Sequence, residues 1–243
     1  MTFSIGADPE VFTGVNGKFV SGHDLIPGTK RKPYKVDQGA VQVDGMALEY
    51  NIQPCVTKDE FIFRIKHVLN QMQGMIKGRE VLPVTSVKYT PQDVAHVPPT
   101  NRELGCSVDF NAYTRMPNPS PDSKKLMRTA GGHVHIGGFY TKQVYKKDHF
   151  ATCIELTKLM DKYVGVPSLE WDHDTERRQM YGQAGCFRPC KYGVEYRSLS
   201  NLWIFSDDLI STVYDGTLTA YTAYLDGERV TTEQYKEVIN GDV

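Results

Sequence analysis

The sequence predicts an α+β fold in a single domain, residues 1–243, with a mainly antiparallel sheet. Three observations lead there. Three segments repeat apolar residues at helical spacing, several others alternate or run apolar over strand lengths, and the two kinds do not follow one another in clean βαβ order. No internal repeat, low-complexity tract or linker divides the chain.

Taken in order, the first element is a strand at Phe3 to Phe12. The opening MTFSIGADPEVF has no basic region followed by an apolar stretch, so it reads as part of the fold and not as a signal peptide. Val41 to Gln53 is the next strand, where Val41-Gln42-Val43 alternates as a strand with one wet face does. From Lys58 to Lys77, the side chains of Phe61, Ile65, Val68, Leu69, Met72 and Ile76 share one helix face. Val81 to Tyr89 and Gly132 to Phe139 are strands. Tyr89 to Thr100, with prolines at 91, 98 and 99, and Met116 to Asp122 read as surface loops. Cys153, Leu156, Met160 and Tyr163 define a second helix over about 145–165, and Gly193 to Leu199 a further strand. Leu209, Ile210, Val213, Leu218, Tyr221 and Leu225 define a third helix near 206–225.

Composition narrows the function. A net charge of −1 removes the broad attraction on which general nucleic-acid binding relies. No apolar run approaches the roughly 20 residues of a membrane span. The five cysteines, Cys55, Cys106, Cys153, Cys186 and Cys190, are odd in number and scattered, which suits free thiols in a reducing compartment. The CxxxC spacing of Cys186 and Cys190 has no second pair to complete a zinc site.

Chemistry is suggested by polar pairs within the strands. Side chains at i and i+2 point to one face of a sheet. Asp8 and Glu10, Glu49 and Asn51, His133 and His135, and Glu195 and Arg197 are four such pairs, each flanked by apolar, aromatic or small residues. If their strands are neighbours, they build one polar floor of acids and histidines, a donor set that suits Mg²⁺ or Mn²⁺. Asp109 and Asn111 form a further pair in Gly105 to Tyr113.

The stretch from Arg177 to Arg188 sets Arg177, Arg178 and Arg188 around two glycines, just ahead of Glu195 and Arg197. Guanidinium forks match phosphate and carboxylate oxygens, and glycine lets backbone approach a ligand. Lys30, in the basic turn Pro27 to Pro33, is placed to reach an anionic group or to stand in solvent. Neither a Walker GxxxxGK[ST] nor a GxGxxG motif is present.

Six motifs taken together, GADPEVF, DGMALEYNIQP, GCSVDFNAYT, GGHVHIGG, RRQMYGQAGCFRP and YGVEYRSLSNLW, resemble the phage and bacterial COOH–NH2 ligase group. That group belongs to the amidoligase superfamily of glutamine synthetase and γ-glutamyl-cysteine ligase. The resemblance implies a curved, mainly antiparallel sheet with helices on its outer face, like the glutamine synthetase catalytic domain. It also implies ATP held by Mg²⁺ or Mn²⁺ on the concave face. Glu10, Glu49, His133, Glu195 and Asp8 match the family's metal positions. Arg178, Arg188, Arg197, His135 and Lys30 match or adjoin its nucleotide positions, and Glu195, Arg197 and Arg188 carry the catalysis. Larger members have glutamate at both acids of the first strand, whereas Asp8 is one methylene shorter and reaches a metal directly or through water. A phage origin and action in the host bacterial cytoplasm are also implied.

Such an enzyme joins a carboxylate to an amine through an acyl-phosphate, releasing ADP and phosphate. Its partners are small-molecule, peptide or protein carboxylates and amines, with no membrane. Two alternatives remain: a hydrolase or oxygenase built on His133, His135 and a carboxylate metal site, and a catalytically silent amidoligase-like binding protein.

Overall fold

The computed structural model describes residues 2–102, 108–120 and 125–241. Its strands, in chain order, are β1 (Ser4–Val15), β2 (Lys18–Val20), β3 (Tyr34–Val36), β4 (Gly39–Asp44), β5 (Ala47–Ile52), β6 (Glu80–Leu82), β7 (Ser86–Lys88), β8 (Phe110–Asn111), β9 (Met127–Thr129), β10 (Gly132–Gly137), β11 (Cys186–Cys190) and β12 (Gly193–Tyr196). Ten of them form one sheet whose main path runs β3-β4-β5-β1-β10-β12-β11-β8, with β2 and β6 added to β1. The ladders along this path are antiparallel. Strands β7 and β9 make a separate pair.

Three long helices, α1 (Lys58–Met75), α3 (Lys147–Met160) and α6 (Asp207–Leu225), cover one face of the sheet. The first touches β1, β4 and β5, the second β11 and β12, and α6 packs on both helices. Short helices complete the fold: α2 (Pro99–Arg102), α4 (Val166–Ser168), α5 (Thr175–Met180), α7 (Gln234–Asn240) and a 3-10 turn at Asn201–Phe205. The fold class is therefore α+β on a mostly antiparallel sheet, as the order of elements implied.

Helix α1 starts where a capping box forms: Thr57 Oγ1 accepts from Glu60 N, and the Glu60 carboxylate accepts from Thr57 N. Its apolar stripe meets the sheet through Phe61, Ile65, Val68, Leu69 and Met72. From the strands, Ile5, Val11, Val41, Leu48, Tyr50, Val134, Ile136, Phe187, Val194 and Tyr196 reach the same cluster. These are alternate residues, so the intervening ones line the opposite face.

Several expected elements differ from those observed. The strand predicted over Val41 to Gln53 is a hairpin, β4 and β5, that turns at Gly45 with φ +60°. Val81 to Tyr89 is likewise two short strands. Tyr89 to Thr100 is not simply a surface loop, because Val94 and Val97 are buried against Met46 and Tyr89. The arginine- and glycine-bearing stretch from Arg177 to Arg188, to which no element was assigned, takes in the end of helix α5 and the start of strand β11. The second helix was expected to run to about 165, and α3 does continue, through a π-helical turn at Asp161–Gly165. Cys106, Gly105, Ser107 and the end of the Met116 to Asp122 stretch lie outside the described residues.

That π-helical turn buries an acid. Asp161 is 0% exposed, and its Oδ1 accepts from Tyr196 Oη at 2.7 Å. Burial pushes its pKa up to about 7 despite the Tyr196 hydrogen bond. Between pH 4 and 7 the unfolded chain therefore loses this proton before the folded one does, and stability falls as pH rises. We expect Asp161→Asn, which keeps the acceptor, to match the wild type near pH 4. Above pH 7 it should be more stable by on the order of a few kcal/mol. Urea unfolding at the two pH values measures the difference; an equal or smaller stability at high pH would rule this out.

Candidate active site

The polar face is assembled by register. In the ladders, Asp8 lies opposite His133, Gly6 opposite His135, and His135 opposite Glu195, which lies opposite Arg188. On the other side of β1, Glu10 lies opposite Glu49 and Glu49 opposite Gln42. The four sequence pairs thus stand on adjacent strands β5-β1-β10-β12 and form one floor.

Two glycines make room for it. A Cβ on Gly131 would lie 2.2 Å from His133 Nε2, and one on Gly132 would lie 2.3 Å from the Ser200 carbonyl oxygen and 2.4 Å from Trp203 Nε1. Without side chains there, Gly131 N donates to Glu10 Oε2 at 2.8 Å and Glu10 N donates to the Gly131 carbonyl at 2.8 Å. Asn201 Nδ2 adds a 2.9 Å bond to the Glu10 carbonyl. Arg177, wholly buried, donates to the carbonyls of Ala130, Ser198 and Leu199, tying the ends of β10 and β12 together.

At one end, Asp8, His135 and Glu195 gather with His133. Asp8 Oδ1 is 2.9 Å from His135 Nε2 and 3.4 Å from His133 Nδ1. Burial alone would raise the Asp8 pKa, but His135 and His133 outweigh it and hold the carboxyl well below its usual range. Glu195, 2% exposed, takes Arg188 Nη1 on both oxygens, at 3.0 and 3.2 Å, and Arg197 on Oε1. Burial and the nearby Asp8 still push Glu195 up to about 7. His133 is driven down to about 3 by burial and by the Arg197 charge, so it is neutral. His135 is shifted up: burial opposes its charge, and Asp8 more than compensates.

At the other end, Glu10, Asp44 and Glu49 bring one carboxylate oxygen each to within 4.8 Å of one another. Lys30 Nζ contacts Asp44 at 2.8 Å. Burial and the charge of Asp44 push Glu10 up to about 7, and Glu49 is driven well above the usual range by burial and by Asp8, Glu10 and Asp44. The two ends differ in balance. Around Glu195 and Asp8 stand two guanidiniums and two histidines, whereas three carboxylates at the second end face one ammonium. The second end is the more fitted to hard divalent cations, since it supplies only oxygen donors and an excess of negative charge. The first end, with its arginine forks, is the more fitted to phosphate.

The predicted residues therefore converge, with one exception. Arg178 is not brought to the floor; held on helix α5, it is 7% exposed, donates to the Asp172 carbonyl at 2.9 Å and ion-pairs with its carboxylate at 3.4 Å. Asp109 joins the site, 3.3 Å from Arg197 Nε. Asn111 instead braces a turn, its Oδ1 accepting from Tyr113 N and Thr114 N. Sequence reading missed Asp44, although it stands two residues after the inward-facing Gln42, because β4 and β5 were read as one strand. It also missed Tyr181, whose hydroxyl contacts Arg197, and Tyr192, whose hydroxyl contacts His135.

A floor of acids and arginines on an α+β sheet offers oxygen donors for a cation beside guanidiniums for an anionic group. Residues 127–237 match the model of the family described as phage phiEco32-like COOH–NH2 ligase, type 2. The matched stretch carries His133, His135, Arg188, Glu195 and Arg197, while the acids of β1 and β5 lie ahead of it. Over that segment the resemblance to the COOH–NH2 ligase group drawn from the motifs is thus borne out. No curated protein matches the chain. Among the described residues, no helix is long and apolar enough to cross a membrane.

Replacing Glu195 by Gln removes the carboxylate between Arg188 and Arg197 in a buried setting and leaves Asp109 beside Arg197. We expect ligand-free Glu195→Gln to lose about 2 kcal/mol or more of stability. Denaturant unfolding checks this; an unchanged or raised midpoint would mean that Glu195 is a burden in the ligand-free fold and not the partner of the arginines.

Proposed function

We propose that the protein is an ATP-dependent carboxylate–amine ligase working with Mg²⁺ or Mn²⁺ through an acyl-phosphate and releasing ADP and phosphate. The observation that carries this reading is the division of one polar floor into an arginine-flanked end and an adjoining three-carboxylate end. A metal–triphosphate needs both on neighbouring strands. Glu10, Glu49 and Asp44 would hold the cation, with Asp8 and Glu195 at the boundary between the two ends. The ion supplies neutralisation of the triphosphate charge.

The chain's own groups do the rest. Carboxylates do not react with amines at neutral pH, because oxide is a very poor leaving group. Phosphorylation of the carboxylate converts that oxygen into a phosphate leaving group, which the amine displaces. Arg188 and Arg197 are aimed, through Glu195, at the place where the migrating phosphoryl charge has to be stabilised. Lys30 stands where it can answer a second anionic group. The Asp8–His135 contact orients the acid without adding net charge to the floor. Free thiols at Cys55, Cys153, Cys186 and Cys190 fit action in a reducing cytoplasm, here the bacterial one.

ATP with Mg²⁺ should raise the melting temperature by several degrees, and ATP without metal by much less. No shift, or equal shifts with and without Mg²⁺, would overturn the ATP reading; turnover that needs zinc or iron but no nucleotide would replace it with the metallohydrolase or oxygenase alternative. Arg188→Lys and Arg197→Lys keep the charge and lose the fork, so each should reduce ADP release roughly tenfold or more with the fold retained. Near-normal release in both would place the phosphate site elsewhere. Screening ADP release over acids and amines identifies the substrates.

A further inference from the structure

The outermost strand of the polar face carries charge that the ligase chemistry does not use. Between Asp24 and Asp37 the chain has four cations, Lys30, Arg31, Lys32 and Lys35, and no acid. The segment is pinned. Thr29 N donates to the Lys32 carbonyl at 3.1 Å and Lys32 N to the Thr29 carbonyl at 2.9 Å, closing a tight turn with Lys30 and Arg31 at its tip. Val43 N donates to the Gly28 carbonyl at 3.2 Å and lays the turn along β4. Gly28, at φ +98°, permits that approach: a Cβ there would lie 2.4 Å from the Val41 carbonyl oxygen and 2.7 Å from Tyr34 N.

Strand pairing then places the cations. β3 ends the main path of the sheet. Lys35 lies opposite Ala40, and Ala40 opposite Asn51, which shares a face with Glu49. Lys35 therefore stands at the margin of the polar face, while Lys30 reaches Asp44 at the three-carboxylate end. Arg31, Lys32 and Lys35 are exposed, and among the described residues none of the three has an ion-pair partner. They form a basic rim along one border of the floor. One exposed ion pair contributes little in water, so a lone carboxylate is not held there. Several carboxylates on one chain are, because their contacts add while the chain is placed only once.

We propose that this rim is the docking site of an acidic peptide segment, and that the carboxylate substrate is such a chain and not a small free acid. Exposed acids at Asp24 and Asp37 bound the rim at both ends and favour a thin extended chain over the bulk of a nucleic acid. The substrate role rests on the ligase reading; the docking does not, and it is measured without nucleotide.

The test uses the full chain and a fluorescein-labelled peptide of alternating Asp and Glu, read by fluorescence anisotropy at low ionic strength. The wild type is expected to bind it, with an affinity that falls steeply as salt is added. Arg31→Ser/Lys32→Ser/Lys35→Ser removes three rim charges at exposed positions and leaves Lys30 in place. It should weaken peptide binding roughly tenfold or more with an unchanged urea midpoint. Lys142→Ser/Lys146→Ser/Lys147→Ser removes the same charge at exposed positions after β10 and should bind as the wild type does. A thymidine oligonucleotide of equal charge should bind more weakly than the peptide. The proposal is overturned by a wild type that does not bind the peptide, by a rim variant that binds it as the wild type does, or by equal losses in the two triple variants. An oligonucleotide that binds as tightly as the peptide also overturns it. A melting shift with Mg²⁺ and ATP but no peptide binding removes the rim and leaves the ligase reading standing.

Discussion

Everything on the polar face depends on the register of four antiparallel strands, β5-β1-β10-β12. A slip of one residue in β1 would turn Asp8 and Glu10 into the core and expose Ile5, Ala7 and Val11. The core forbids that slip. Ile5, Val11, Leu48, Tyr50, Val134, Ile136, Val194 and Tyr196 are all 0% exposed beneath the helices, so each residue of slip would set a whole row of apolar side chains against the wrong face. The apolar side of the sheet therefore holds the site in place from the opposite face. Stability and function are coupled through the period of the strand.

The same register sets charges close together, and burial makes their balance matter. At the Glu195 end two guanidiniums hold one carboxylate, and Asp8 is held by His135. At the Glu10 end three carboxylates share one lysine. The raised Glu10 and Glu49 reflect burial first and that imbalance second. Carboxylates in excess at one end and guanidiniums at the other form the charge pattern on which the proposed metal-bound polyphosphate site rests. The glycines at 131 and 132 belong to the same economy of space, since the floor closes only where the backbone carries no side chain.

Arginine identity was not enough to assign roles. Arg177, Arg178, Arg188 and Arg197 look alike in sequence, and the fold gives them different work. Arg177 pins three backbone carbonyls, Arg178 is bound to Asp172, and Arg188 and Arg197 bracket Glu195. A guanidinium goes where its element points it. Arg177 and Arg178 stand on a helix, and Arg188 and Arg197 lie on or just beyond adjacent strands.

The sequence by itself determined the fold class, the three long helices and which polar residues share a face within each strand, because those follow from local periodicity. A period of two places Asp8 with Glu10, His133 with His135 and Glu195 with Arg197, whatever the partner strands are. A helical period marks α1, α3 and α6 in the same way. Only the tertiary structure decided which strands are neighbours, and so that Glu10 faces Glu49 while His135 faces Glu195. It also decided that Asp44 and Tyr192 enter the site and that Arg178 leaves it. These depend on strand pairing across long separations, and on where one hairpin turns at Gly45. No local pattern carries that information, because contacts between distant segments are selected by the packing of the whole core.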